Sequence, residues 1–478
     1  MHHYKQSKKQ IAIRFFSYGV LTLAVLVLSG IGILSVLGYQ FDPAGHGLEQ
    51  TALVQFASQP SGATVEVDAK KLSGNTNTRT NVSSGSHTAL VSLAGYRDWS
   101  KTFNVTGGTV LWLNFALLVP NRLVSTDYGD LGSVSSDQTS PDKKWRLLTL
   151  ADKPAVLTLV DVSDPRHPAI ASSTVPSAML TKAPDGTTGA LTVVSWDSGS
   201  RYVLLKHTYG TSTEYLRYDR QNLTTMRNIT KELGIDGVTK VGFSDASGNT
   251  YYALAGTDLR KLDLNAGTIS QPLVSNVTQM YYTDGGETVA YAQIVDGVTK
   301  IGVYRDAGGN VTTKTYTRTP TNLQIAYNEY YGYRYIATFH DGTVDLIQSP
   351  DTRSPKIVKT IELSGATWLY FSPSGRMLVA QTGNSFMTYD IETNRVYNET
   401  LGANDATTTK FEWLDGFHLV SDAGGKIAIS DFDGGNKQVL GSANSGTGIE
   451  LSNDAQWLFG LTNVDGKTKL QQTALRVQ

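Results

Sequence analysis

The side-chain types that carry most enzyme and metal chemistry are scarce or scattered in this sequence. The 478 residues include no cysteine, which excludes disulfides, thiolate nucleophiles and Cys-ligated metal centres. Of the eight histidines only His2 and His3 lie close together, so a histidine metal site would have to be assembled from distant segments. Neither a Ser-His-Asp arrangement nor a phosphate-binding loop can be inferred. We therefore predict a non-enzymatic protein with no catalytic residue, cofactor or metal ion.

One segment carries side chains that suit binding. Residues 327–335 contain five tyrosines in nine positions. Tyr330 and Tyr331 fall at a predicted turn, where they are difficult to explain as core residues, and Arg334 follows in the next strand. Exposed tyrosines beside an arginine suit stacking on sugar rings or anchoring a protein partner. Tyr330, Tyr331 and Arg334 are accordingly the predicted contacts to a ligand or partner.

Aspartate-containing turns recur along the second part of the chain and admit a functional reading. The stretch from Ser195 to Tyr202 resembles the Asp-box of sialidases, S-x-D-x-G-x-x-W/Y, which in that family is a structural turn remote from the chemistry. Residues 431–436 are acidic but too short for a full calcium loop. We interpret both as ordinary turns. Paired carboxylates for glycoside chemistry would have to come from different repeats.

The charge balance limits the class of partner. Lysine and arginine number 41 and aspartate and glutamate 42, so the net charge is −1. No overall basic field is available to hold phosphate backbones, which argues against nucleic acid as the main partner.

An uncharged apolar segment near the N-terminus predicts a membrane anchor. Residues 15–39 would form a helix about 37 Å long, enough to cross a hydrocarbon core of about 30 Å. A cleaved signal peptide is the alternative, although its apolar region is usually only about 7–15 residues. Four basic residues and no acid precede the segment. The positive-inside rule then places a basic tail, 1–14, in the cytoplasm and the rest of the chain outside the cell membrane.

A small β module is predicted at 51–119, after a linker at 40–50, because runs of alternating apolar residues are separated there by turn signals. Its ordered turns are Pro60-Ser61-Gly62-Ala63, Ser84-Gly85-Ser86-His87 and Gly95-Tyr96. This series resembles the PEGA domain, with Ser61 in place of the family's Glu and Asn77 in place of a later Pro. The resemblance implies an extracytoplasmic β-sandwich without known catalytic residues, found in envelope and surface-layer proteins.

Three residues of this module could be mistaken for site residues. His87 stands at the entry of a predicted hairpin, and we interpret it as structural. Trp99 and Trp112 are predicted to be core residues rather than platforms for carbohydrate.

From residue 120 to 478 the sequence repeats a strand, a polar turn and an apolar strand. The copies begin at residues 140, 195, 244, 283, 328, 372, 413 and 452, so they are spaced by 39 to 55 residues. This period predicts a β-propeller of eight blades, or of seven if the long first interval is irregular. It resembles the WD40-like and YVTN-type propellers found outside bacterial membranes. Helical pattern is nearly absent, residues 229–233 being the exception.

The ends of the repeat region suggest how a ring would close. The last copy supplies only three strands, and residues 122–127 precede the first copy without an assigned role. We expect these residues to pair into the final blade as its outer strand, which would remove an open sheet edge.

Together these patterns predict a mainly β protein: one transmembrane helix, a PEGA-like sandwich and a propeller. The favoured function is a membrane-anchored, non-catalytic binding or scaffold protein of the bacterial cell envelope with the propeller as its interaction head. Its partner would be an envelope protein or a cell-wall glycan. The alternative is a propeller hydrolase or lyase acting on polysaccharide, which would require charged residues to converge at one mouth of the channel.

Overall fold

The computed structural model describes residues 8–41, 47–282, 286–400, 410–421, 425–442 and 448–477. Parts of the predicted tail and linker, 1–7 and 42–46, and the start of the copy at residue 283 lie outside the described residues. The chain divides into two compact units. The first comprises Met1–Arg122 with Arg476–Gln478, and the second comprises Leu123–Leu475.

The first unit begins with a long apolar helix, α1 (Lys8–Val36). Its stretch Ile11–Val36 has a mean hydropathy of 2.4 and no residue buried inside the protein. Among the described residues it is the one helix long and apolar enough to cross a membrane. The helix ends before the predicted residue 39 because Gly38 adopts a φ of +80°. A backbone turn of this hand terminates helices and favours glycine.

A short hairpin follows the helix where the sequence predicted a linker. Strands β1 (Tyr39–Phe41) and β2 (Leu48–Gln50) pair in antiparallel fashion. The next residue, Thr51, bonds back to the end of the helix: its N–H and its hydroxyl both donate to the Gly38 carbonyl, at 2.8 Å and 2.7 Å. These two bonds join the residue after β2 to the residue before β1.

Residues 52–117 fold into a sandwich of two sheets, ordered β6-β3-β9 and β5-β4-β7-β8. The strands are β3 (Ala52–Gln59), β4 (Thr64–Val67), β5 (Lys70–Asn75), β6 (Thr78–Val82), β7 (Gly85–Ser92), β8 (Trp99–Val105) and β9 (Val110–Leu117). Alternation along each strand places Val54, Phe56 and Leu113 in the core between the sheets.

The three residues singled out in this module have different outcomes. Trp99 is 1% exposed, which confirms it as a core residue. His87 bridges the carboxylate of Asp68 at 2.6 Å and the carbonyl of Ser83 at 2.9 Å, a structural role as predicted. The prediction for Trp112 was wrong: its side chain is 47% exposed. In β9 the neighbours of Trp112 are the half-buried Leu111 and the buried Leu113, which point toward the core. Because successive side chains of a strand point to opposite faces, Trp112 points to solvent.

In the second unit, eight four-stranded antiparallel sheets are formed by the described residues, and they are the blades of a propeller. The first strand of the unit, β10 (Val124–Tyr128), belongs to the last blade. Blades 1 and 2 contain β11 (Val134–Thr139), β12 (Trp145–Leu150), β13 (Val156–Asp161), β14 (Ala169–Thr174), β15 (Ala190–Trp196), β16 (Tyr202–Tyr209), β17 (Ser212–Asp219) and β18 (Arg227–Asn228). Blades 3 and 4 contain β19 (Val238–Phe243), β20 (Thr250–Ala255), β21 (Asp258–Asp263), β22 (Thr268–Ile269), β23 (Val277–Tyr282), β24 (Thr288–Val295), β25 (Val298–Arg305) and β26 (Gly309–Thr315).

The remaining blades follow in chain order. Blades 5 and 6 contain β27 (Gln324–Tyr330), β28 (Tyr333–His340), β29 (Thr343–Gln348), β30 (Lys356–Glu362), β31 (Trp368–Phe371), β32 (Met377–Thr382), β33 (Ser385–Asp390) and β34 (Arg395–Thr400). Blades 7 and 8 contain β35 (Glu412–Trp413), β36 (His418–Ser421), β37 (Lys426–Asp431), β38 (Gln438–Ser442), β39 (Glu450–Leu451), β40 (Trp457–Val464) and β41 (Lys467–Ala474). Short helices occur at Ser177–Met179, Leu223–Thr225 and α2 (Ile229–Leu233), the last as predicted.

The predicted closure of the ring is confirmed. β10 pairs with β41, from Val124 opposite Ala474 to Tyr128 opposite Leu470, and is the outer strand of blade 8. Apolar side chains of blade 8, including Phe459 and Leu461, pack against Leu148 of blade 1. The last blade therefore contacts the first, and the count of eight blades follows from the sheets.

The repeated polar turns are structural, as the sequence indicated. In blades 1, 6 and 8 a serine stands at the same place, and its hydroxyl accepts the N–H of the residue five positions later at 3.0–3.1 Å. The residue three positions after each serine has a positive φ: Lys143, Gly375 and Ala455. In the Asp-box-like turn, Asp197 accepts the N–H groups of Arg201 and Tyr202, each at 2.7 Å. These bonds use the polar groups to close turns.

Candidate binding face of the propeller

One edge of the propeller collects the predicted contact residues. Within each antiparallel blade, the turn between the first and second strands and the turn between the third and fourth strands lie at the same end. We call this edge the turn face. In blade 5 it carries the turn at Tyr331 and the loop that contains Asp351, and in blade 6 it carries the loop that contains Glu392.

The structure brings Tyr330 and Tyr331 together on this face. Their ring centroids lie 4.8 Å apart with the planes at 88°, an edge-to-face contact. The hydroxyl of the half-buried Tyr330 donates to Glu392 Oε2 at 2.8 Å, and Arg376 holds the same carboxylate at 2.6 Å. Burial, and then the neighbouring Glu392 carboxylate, raise the pKa of Tyr330 well above its ordinary value. Tyr330 is therefore a fixed, neutral support for its neighbour.

Tyr331 is the most exposed of these rings, at 82%, and its φ is +48°. Bulky residues seldom adopt this left-handed conformation, which costs of the order of 1 kcal/mol. Tyr333, the second residue after Tyr331, is also exposed, at 53%. It pairs with Tyr330 at the last position of the β27–β28 ladder, beyond the reach of the core. Its position at the start of a predicted strand, next to the turn, could have indicated from the sequence that Tyr333 is exposed.

Arg334 lies beside the tyrosines but is already engaged. Its guanidinium pairs with Glu329 at 3.0 Å and with Asp351 at 2.9 Å, and Arg305 of blade 4 reaches the same Asp351 at 3.0 Å. Burial alone would lower the pKa of Arg334. The carboxylates of Asp351 and Glu329 outweigh burial, so the pKa is raised overall. The arrangement ties blades 4 and 5 together and keeps the tyrosine turn in place.

A second group of charged side chains, which no sequence pattern predicted, lies where the first strands of blades 7, 8 and 1 meet. We call it the Arg146 cluster: Glu412 of blade 7, Glu450 of blade 8, and Asp137, Lys143 and Arg146 of blade 1. Arg146 donates to Asp137 and, at 2.7 Å, to the carbonyl of Gly448. A Cβ built on Gly448 would lie within 3.8 Å of the polar atoms of Arg146, Glu412 and Asp137. These groups come from positions 137–450 of the sequence, and no local pattern could assemble them.

The electrostatics of the Arg146 cluster are unusual. Burial raises the pKa of Glu450 to about 7, against the opposing effect of Lys143 and Arg146, while Glu412 adds to the rise. Lys143 Nζ is 3.9 Å from Glu450. Burial also lowers the pKa of Arg146 to about 10, and two of its nitrogens, Nε and Nη1, have no hydrogen-bond partner among the described residues. A carboxyl that exchanges its proton near neutral pH has the property that general acids need.

No candidate metal centre is found in the described ranges: no group of three or more His, Asp or Glu side chains there could hold a metal ion. The acidic turn at 431–436 is closed on itself, with the Asn436 amide donating to Asp431 at 2.8 Å.

Comparison with known protein families identifies the β-sandwich of the first unit. The PEGA domain model matches residues 52–119, so the chain carries a PEGA domain followed by a propeller. No curated protein matches the chain.

Several solved structures share the general fold. The Dos1 propeller is 12% identical with a TM-score of 0.48, and the match covers 74% of this chain and 94% of that one. An oligogalacturonate lyase in complex with manganese is 13% identical with a TM-score of 0.41, covering 74% and 96%. Dihydro-heme d1 dehydrogenase NirN is 12% identical with a TM-score of 0.46, covering 66% and 68%. These likenesses concern the fold alone, and the eight sheets themselves define the propeller.

Proposed function

We propose that this chain is a membrane-anchored extracytoplasmic binding protein of the cell envelope, without catalytic activity, in which the propeller is the interaction head. The apolar helix α1 would anchor the chain, and the PEGA domain is of a kind typical of extracytoplasmic proteins. The tail before the helix would be cytoplasmic by the positive-inside rule. The partner would be an envelope protein or a cell-wall glycan.

The observation that carries this proposal is the exposure of Tyr331. An aromatic ring is kept 82% in water, on a backbone that favours glycine, while its neighbour Tyr330 is bonded in place. A strained, exposed aromatic residue contributes little to folding, whereas at an interface such a ring buries a large apolar area at a low entropic cost.

The test compares retention of the full chain, in detergent micelles, on purified cell-wall polymer and on solubilised envelope proteins. We expect the double variant Tyr331→Ala/Tyr333→Ala to lose at least about tenfold in retention on one of these, because both rings would leave the interface. Its melting temperature should stay within about 2 °C, since exposed side chains contribute little to stability.

A matched control lies on the outer strand of the same blade. Ile357 is 51% exposed, and Ile357→Ala should leave retention unchanged. Equal retention by the double variant and the control would count against the turn face as the interaction surface.

The orientation can be measured with single cysteines, because the chain has none of its own. Lys8→Cys lies on the N-terminal side of the apolar stretch and Lys153→Cys on an exposed turn of blade 1. A membrane-impermeant maleimide applied to intact cells should label position 153 and not position 8. The reverse pattern would contradict the proposed topology.

A second candidate function, a propeller enzyme acting on polysaccharide, is favoured by the Arg146 cluster. Glu450, with a pKa near 7, would be the general acid and Glu412 the second carboxylate. If so, the release of sugar fragments should decline as the pH rises through about 7, where Glu450 loses its proton, and Glu450→Gln should abolish it. If the chain is the binding protein proposed above, wild type and Glu450→Gln will both release none.

A further inference from the structure

The outward surface of the three-stranded sheet of the PEGA domain carries a tryptophan among amide and guanidinium side chains. Side chains that point away from the core form two rows across β6, β3 and β9. The rows are Asn81, Leu53 and Val110, and Arg79, Gln55 and Trp112. Asn77, Ala57 and Asn114 lie next to the second row, where the register of β3 and β9 shifts. We call this surface the Trp112 face. It is independent of the propeller and of the function proposed for the turn face.

A groove of about 580 Å³ runs over this face. It is lined by the indole of Trp112, by Gln55, Arg79 and Asn114, and by residues 77 and 78. Its volume lies within the range of about 300–1,000 Å³ that small-ligand sites occupy. Trp112 is 47% exposed, so part of its indole is available to a ligand.

The hydrogen-bonding groups of this groove are not used within the protein. In the described residues, the side chains of Gln55, Asn77, Arg79, Trp112 and Asn114 form no hydrogen bond or ion pair. They offer amide, guanidinium and indole donors and amide acceptors. The six residues of the two rows and the adjacent Asn77, Ala57 and Asn114 include no acid, and their single charge is the guanidinium of Arg79. The face is therefore complementary to a ligand that has hydroxyl groups, a flat apolar side and negative charge.

We propose that the Trp112 face binds a polysaccharide chain that carries carboxylate groups, as uronic acid sugars do. The C–H face of one sugar ring would stack on Trp112, the amides of Gln55 and Asn114 would bond its hydroxyls, and a carboxylate would pair with Arg79. Arg79 and Trp112 stand two strands apart in one row, a separation of about 10 Å. This distance spans more than one sugar ring, so the ligand is an oligomer rather than a single sugar.

The experiment measures binding of uronic acid oligosaccharides to the full chain in nanodiscs of zwitterionic lipid. The matched ligand is the same oligosaccharide with its carboxyl groups reduced to alcohols. We expect wild type to prefer the acidic form, Trp112→Ala to weaken binding at least about tenfold, and Arg79→Gln to remove the preference between the two forms. Both side chains are exposed, so neither change should unfold the domain.

Two controls separate this proposal from the others. Val110→Ala removes an exposed apolar side chain of the same face outside the groove and should leave binding intact. Tyr331→Ala/Tyr333→Ala should also bind the oligosaccharide normally. A wrong proposal for the turn face would therefore leave oligosaccharide binding unchanged, whereas a wrong proposal for the Trp112 face would show as its absence. The proposal is overturned if no acidic oligosaccharide binds, or if binding survives Trp112→Ala. It is equally overturned if brominated lipids quench a fluorescence signal that Trp112→Phe removes, because the bilayer would then occupy the face.

Discussion

A cysteine pair at positions 125 and 473 is expected to form a disulfide and to raise the free energy of unfolding of the propeller by about 4–6 kcal/mol. Ser125 and Thr473 are paired across β10 and β41, with their hydroxyl oxygens 2.8 Å apart. Directly paired residues of adjacent strands have the Cα separation that a disulfide requires. The two positions are 348 residues apart, so the cross-link would remove the entropy that the unfolded chain has when this long loop is open.

The measurement is denaturant unfolding of Ser125→Cys/Thr473→Cys in the oxidised and reduced states. The absence of other cysteines means that no competing disulfide can form. The reduced double variant and each single variant should unfold within about 1 kcal/mol of wild type. Failure of the pair to oxidise would contradict the closure of the ring by β10. Oxidation without a gain in stability would indicate that the segments of β10 and β41 stay close together in the unfolded chain.

Replacing Glu214 with alanine is expected to lower the free energy of unfolding by about 3–5 kcal/mol, because it leaves a buried charge without its partner. Glu214 and His207 lie side by side in blade 2, with side chains 3% and 0% exposed and 2.8 Å between Oε1 and Nδ1. The other ring nitrogen of His207 faces the Thr188 carbonyl. Since both neighbours of the ring are acceptors, both nitrogens must carry hydrogen, and His207 is the charged imidazolium.

The pH dependence of this stabilisation follows from both groups. Burial alone would raise the pKa of Glu214, but bonds from His207 and Thr181 outweigh it and lower the pKa to about 2. For His207 burial lowers the pKa, and the bonds to Glu214 and Thr188 raise it above 6.5 overall. The Glu214 contribution is complete above its ordinary pKa of 4.5 and is lost as the pH falls toward 2. The His207 contribution is complete below 6.5 and is lost as the pH rises through its raised pKa.

The stability difference between wild type and Glu214→Ala should accordingly be largest near pH 5–6 and shrink on either side. Glu232 provides the control, because its pair with Arg227 is about one-third exposed on the same blade. Glu232→Ala should cost under about 1 kcal/mol. A Glu214→Ala cost as small as this, or one that is constant between pH 4 and 9, would show that the pair is not ionised.

Local sequence determined the elements of this protein and their order. Alternating apolar residues predict strands because successive side chains point to opposite faces, and serine, aspartate and glycine at regular intervals predict the turns between them. The outer-strand role of residues 122–127 was also predictable, because an incomplete last repeat requires a strand from elsewhere. The apolar segment before residue 40 predicts a helix for the same local reason, since its length and lack of charge suffice.

The tertiary structure alone decided which residues meet. Tyr330 is fixed by Glu392, 62 residues away, and the Arg146 cluster joins first strands from both ends of the repeat region. Alternation assigns a residue to one face of a strand but cannot say which face packs against a second sheet, and for this reason Trp112 was misplaced in the core. Distances between repeats depend on how the blades close into a ring, which is a property of packing and not of any one repeat.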